Sequence, residues 1–156
     1  MRLFRALAVV ALIISLHAEL WGAESVRILV GNRPLLFPLA AALVLSVALH
    51  ELLHVAGYVW LGGAPMDAVH VEWRGAAIVA RCDVPLPARS YRTAVALPGL
   101  VLGVVPALAG LVSGVAWVTV YGAVMTGASA GDVAVLWALK GYGAEEKVED
   151  RSGRGR

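Results

Sequence analysis

Three side chains able to do chemistry crowd into the stretch "LSVALHELLHVAGYVWLGG", residues 45–63: His50, Glu51 and His54. Histidines four residues apart on a helix project from one face, one turn apart. Two ring nitrogens so placed can each reach one Zn²⁺ at about 2.0–2.1 Å. Glu51, next to the first histidine, is positioned to take the proton of a water that the metal activates. "HELLH" therefore fits the HExxH pattern of zinc hydrolases. A hydrolytic zinc takes three protein ligands and leaves its fourth place to water. Asp132, in "TGASAGDVAVLWALK", is the expected third ligand, because it is the only charged residue of the last long apolar segment. The run Gly127–Gly131 before it removes side-chain bulk and is expected to let another helix backbone approach closely.

These groups sit in an apolar chain. Of its 156 residues 60% are hydrophobic and 15% charged, with mean hydropathy +0.78, where a soluble domain carries about a quarter charged residues. The composition is that of an integral membrane protein and excludes nucleic-acid binding, since the net +2 comes from arginines flanking apolar segments. Four segments are long enough to cross a bilayer as helix, which needs roughly 20 residues. They run from about Leu3 to Trp21, Leu35 to Leu61, Thr93 to Val112 and Val115 to Leu139. The first is read as a retained helix, because "HAELWGAES" has no convincing small-x-small cleavage site. An ionisable group inside a span costs about 2.5 kcal/mol or more, so a cluster of three needs something to neutralise it. A metal does that.

The basic residues orient the segments. With the N-terminus cytoplasmic, 11 of the 13 lysines and arginines face the cytoplasm, and only Arg27 and Arg33 lie outside. The expected location is thus the cell membrane, multi-pass, with both termini cytoplasmic. Asp132 precedes the belt residue Trp137 by five positions, about 8 Å along a helix. His54 and His50 precede Trp60 by six and ten, about 9 and 15 Å. Both helices run inward, so the three groups fall at a comparable level. Between the second and third segments, "VHVEWRGAAIVARC" alternates apolar and polar residues around an "RG" turn, which predicts a cytoplasmic β-hairpin over residues 69–82. His70 is expected as a solvent-facing strand residue, and Asp67, Glu72 and Asp83 as surface charges of the hairpin. His17 and Glu19 are expected at the membrane interface beside Trp21. The lone cysteine, Cys82, permits no internal disulfide and reads as a packing residue. One domain, 1–156, with a mobile charged tail from about 143, completes the expected architecture of a mainly α membrane protein.

An HExxH on a membrane helix, a β-hairpin, a helix beginning "ALPG" and an aspartate on a later helix together resemble the site-2-protease class of intramembrane zinc metallopeptidases. "LHELLHVAGYVWLGGAP" and "GDVAVLWALKGYGAEEKVEDRSGRG" resemble more closely the small zincin-peptidase family known as DUF3267. The resemblance covers roughly residues 45–156. It implies His50, His54 and Asp132 as zinc ligands and Glu51 as general base. The "NPxPxxDG" surroundings of the larger site-2 proteases are absent around Asp132, and the asparagine expected after their "GP"-like turn is missing from "LPGLVLGVV".

The expected function is hydrolysis of a peptide bond in a membrane protein or membrane-associated peptide. Its extended substrate would be held by strand addition to the hairpin edge, with the lipid bilayer as surroundings. The alternative is a non-catalytic, regulatory membrane protein holding an ion with the same ligands, for which Glu51 has no use as a base. A zinc hydrolase acting on a lipid or another amide is the third reading.

Overall fold

The computed structural model describes residues 2–75 and 77–149. It is mainly helical, with two small antiparallel sheets. In chain order come α1 (Arg2–Trp21), α2 (Ala23–Gly31), α3 (Arg33–Ala56, widened over Gly57–Leu61), β1 (Val69–Arg74), β2 (Ala77–Cys82), β3 (Leu86–Pro87), α4 (Ala88–Pro98, widened over Gly99–Val104), α5 (Val105–Ser113), α6 (Ala116–Ala128), α7 (Ala130–Ala138) and β4 (Lys147–Val148). Among the described residues three helical stretches are long and apolar enough to cross a membrane: Leu3–Trp21, Arg33–Leu61 and Ala88–Ser113. The broken pair α6 and α7 makes a fourth if counted as one.

Several boundaries differ from the periodicity. The stretch after Trp21 forms a helix of its own, α2, whose Leu29 is buried while Glu24 and Arg27 stay exposed. Five apolar residues among nine do not announce a span, but they suffice for a short amphipathic helix. The third stretch starts at Ala88 rather than Thr93. Its polar first turn is held by the returning tail, described below. The fourth breaks at Ser129, whose hydroxyl donates to Met125 O at 3.1 Å; a serine bonding back into the preceding turn bends a helix.

The chain's contacts divide into two compact units, Met1–Val47 with Gly99–Gly131 and Ala48–Pro98 with Asp132–Arg156.

In the first unit α1, α5 and α6 pack together, and side chains are small where backbones meet. A Cβ on Gly110 would strike Thr119, and one on Gly122 would strike Ala107. Packing without bulk is how helices associate where lipid removes the hydrophobic drive. His17, expected at the interface, is instead fully buried, and Thr119 Oγ1 lies 2.8 Å from its Nδ1. Its neighbour Trp21 donates its indole N–H to Leu111 O at 2.8 Å. A histidine near a helix end reads as interfacial only until a hydroxyl on another helix faces it.

In the second unit the expected hairpin forms, with Val69 opposite Cys82 through Arg74 opposite Ala77. Gly75 in the turn has φ +64°, a conformation glycine takes without strain. The core of the unit gathers Tyr58, Cys82, Leu86, Tyr91, Ala94, Val95 and Leu139. The chain end returns to this core. Leu86 pairs with Val148, Ala88 N–H donates to Glu146 O at 2.8 Å, and Arg89 N–H to Ala144 O at 3.0 Å. These carbonyls fill two of the donors that every helix start leaves open. The tail, expected to be mobile from residue 143, makes these contacts through Val148, while residues 150–156 of it lie outside the described residues.

Candidate metal centre

The site lies wholly within the second unit. His50 and His54 come from the last two turns of α3, and their rings meet edge to face with centroids 4.9 Å apart. The i, i+4 spacing produces this. Asp132 comes from the first turn of α7, where a carboxylate suits the helix's positive end. His50 Nε2 lies 3.2 Å from Asp132 Oδ2, and His54 Nε2 lies 3.5 Å from Asp132 Oδ1. The depth match inferred from the sequence thus corresponds to a direct juxtaposition.

The orientation of His54 has an identifiable cause. Its Nδ1 lies 3.2 Å from Ala94 O. A carbonyl only accepts, so Nδ1 carries the proton, and in the neutral ring Nε2 keeps its lone pair toward Asp132. Ala94 O is available because residue 98, which would donate to it four positions on, is proline and has no N–H. The approach that makes this bond possible needs Gly57, where a Cβ would fall 2.6 Å from Ala94 Cα. Tyr58 stacks on the His54 ring at 6.3 Å and touches Tyr91 at 5.6 Å, packing the ligand from behind.

Glu51 takes a different direction. Its Oε2 accepts the N–H of Ala80 in β2 at 2.7 Å. One donor atom each from His50, Glu51 and His54 still lies within 4.8 Å of the other two, a grouping able to hold a metal ion.

Does this donor set fit zinc? Ligands 2.0–2.1 Å from a tetrahedral centre lie about 3.3–3.4 Å from one another, and the two nitrogen–oxygen separations bracket that value. Asp132 Oδ2 is buried and accepts no hydrogen bond, despite the nearby imidazole. An oxygen left in this way, on a carboxylate whose two oxygens face two imidazole nitrogens, is what a cation would satisfy. The residues fit.

Other sequence expectations fare variously. His70, half-exposed on β1, lies 3.4 Å from Asp83 Oδ2 and does not join the cluster. Glu72 and Asp83 carry the expected hairpin charges and meet Arg81 at 3.1 and 3.7 Å. The small-residue run before Asp132 lets another helix backbone approach as expected, at Gly127 and Ser129 and not at Gly131. A Cβ on Gly131 would meet nothing within 4 Å, whereas Gly127 lies against Val10 and Ser129 against Gly99 in the first unit. The sequence reading also missed Ala94 and Ala80, which act only through their backbones. Pro98 was the one available signal, since a proline inside a helix leaves a carbonyl four residues earlier without its helical donor.

No curated protein matches the chain. No solved structure matches it either. The family DUF3267, described as "Putative zincin peptidase", matches residues 43–145, which include all four site residues and the hairpin. With more than half of its length matched, the chain belongs to that zincin peptidase family.

Proposed function

We propose that this protein is a membrane-embedded zinc metallopeptidase that hydrolyses peptide bonds of membrane-associated proteins or peptides. The observation that carries the reading is the convergence of His50 Nε2 and His54 Nε2 on the Asp132 carboxylate, with Glu51 next to the first of them. His50, His54 and Asp132 would hold the ion. When bound, zinc supplies a Lewis acid for the scissile carbonyl and lowers the pKa of water toward about 7.

The chain's own groups do the rest. Glu51 takes the proton of the attacking water and passes it to the leaving amine. Ala94 O fixes His54 in the tautomer whose Nε2 serves as ligand. An extended substrate exposes its carbonyl, and the hairpin edge beside Glu51 offers main-chain partners for it.

Large apolar side chains stand exposed along the helices that could cross a bilayer, Phe37 at 80% and Val112 at 81% among them. Surface of that kind favours lipid surroundings. The distribution of basic residues supports cytoplasmic termini.

The test compares purified wild type with Glu51→Gln for zinc content and for cleavage of membrane-peptide substrates. Glu51→Gln should retain zinc and lose cleavage by about 10²-fold or more. Equal cleavage by both proteins would remove the mechanism. A wild type that holds zinc yet hydrolyses nothing would favour the non-catalytic metal-binding reading.

A further inference from the structure

The contact between Glu51 and the hairpin has a directional logic. In an antiparallel pair, alternate residues turn their N–H and C=O toward the partner strand and away from it. Asp83 N–H donates to Ala68 O at 2.9 Å, continuing the β1–β2 ladder. Odd-numbered residues of β2 thus hand their amides to β1, and even-numbered ones point off the outer edge. Ala80 is even-numbered, and its outward N–H meets Glu51 Oε2 at 2.7 Å. Among the described residues β2 has no second strand partner. Glu51 therefore occupies the edge position that a further strand would need.

We infer that the Ala80 amide is the resting partner of the Glu51 carboxylate and the point at which an extended peptide enters the site, so that peptide docking and release of the base are one event. This rests on the peptidase reading above. A peptide adding to the β2 edge must give a carbonyl to Ala80 N–H, because that is the outward donor nearest the HELLH helix. One N–H cannot serve two acceptors well, so the carbonyl and the carboxylate compete. When the carbonyl wins, Glu51 swings free beside His50, with the peptide already aligned. Before that, the carboxylate satisfies an amide on a residue only 5% exposed, where an unpaired donor is costly.

The experiment uses full-length protein in nanodiscs, stripped of zinc so that nothing is cleaved, with an acetylated fluorescent Val/Thr-rich decapeptide as probe. Glu51→Leu removes the competitor and should tighten the decapeptide about ten-fold, one charge-assisted hydrogen bond's worth. Ala80→Pro removes the donor without touching the ladder. It should weaken the decapeptide about ten-fold and abolish the effect of Glu51→Leu when the two are combined. Amide exchange provides the second readout. In Glu51→Leu the Ala80 amide should exchange at least ten-fold faster, with Val79 and Arg81 unchanged, and the decapeptide should restore its protection. Exchange at Ala80 that ignores Glu51→Leu overturns the resting contact, even if Ala80→Pro does not fold. Decapeptide binding that is absent, or unaltered by Glu51→Leu, overturns the docking. Neither readout involves cleavage, so a zinc-loaded protein without peptidase activity would refute the proposed function and leave these results standing.

Discussion

The Nδ1–H of His54 donates to Ala94 O at 3.2 Å, a carbonyl deprived of its usual helical donor by Pro98. One residue that breaks a hydrogen bond in α4 thereby orients, on α3, a histidine proposed as a metal ligand. Restoring the helical donor should disturb the ligand. Pro98→Ala gives residue 98 an N–H aimed at Ala94 O, competing with the imidazole. Zinc affinity, measured against a chelator of known strength, should fall about ten-fold with every ligand intact, as for other groups that orient a ligand from behind. Unchanged affinity would mean that His54 needs no such support.

Gly57 sets the distance over which that bond forms. A methyl there meets Ala94 Cα at 2.6 Å and Cβ at 2.7 Å, both on a rigid, buried helix. Gly57→Ala should lower stability by about 1–3 kcal/mol through overpacking and weaken zinc as α4 is pushed away. Gly131→Ala is the informative comparison. It lies next to Asp132 but would meet nothing within 4 Å, so it should stabilise the protein by about 0.4–1 kcal/mol and leave zinc affinity alone. Thermal melts of both variants, with and without zinc, check the contrast.

Asp132 should account for most of the coupling between metal and stability. Chelation leaves its buried Oδ2 without a partner. Wild type at 100-fold excess of zinc over its Kd should gain about 2.7 kcal/mol over the stripped protein. Asp132→Asn should lose about 10²-fold or more in affinity, so its melting temperature should hardly respond to the same zinc. A full zinc response from Asp132→Asn would assign the third ligand elsewhere.

Arg92 clamps the end of the helix that carries Asp132. Its Nη2 donates to Leu139 O and Tyr142 O, where a cation also complements the negative helix end. Arg92→Gln should cost about 1.5–3 kcal/mol, the usual loss for hydrogen bonds from a charged donor. Limited proteolysis should then cut near residues 142–149 sooner than in wild type. The exposed Arg89–Glu145 pair, at 2.8 Å, should matter far less, and Arg89→Gln is expected within about 1 kcal/mol of wild type.

Read in order, the residues determine a good deal. The i, i+4 histidines specify one helical face, because 3.6 residues per turn stack them one turn apart, with Glu51 about 100° round the helix from His50. Period-two alternation around "RG" specifies the hairpin, because successive side chains of a strand point to opposite faces. Asp132 emerges as the partner by elimination, since charge is expensive in an apolar helix.

Tertiary structure decided what depends on backbone atoms meeting across long sequence separations. That Ala94 O accepts from His54, and that Ala80 N–H donates to Glu51, cannot be read from the residue types, because every residue offers the same carbonyl and nearly every one the same amide. The burial of His17 beside Thr119, and the return of the tail to Ala88 and Arg89, likewise depend on which surfaces the packed helices bring together. Periodicity reports the face a residue occupies, and only packing reports what stands opposite it.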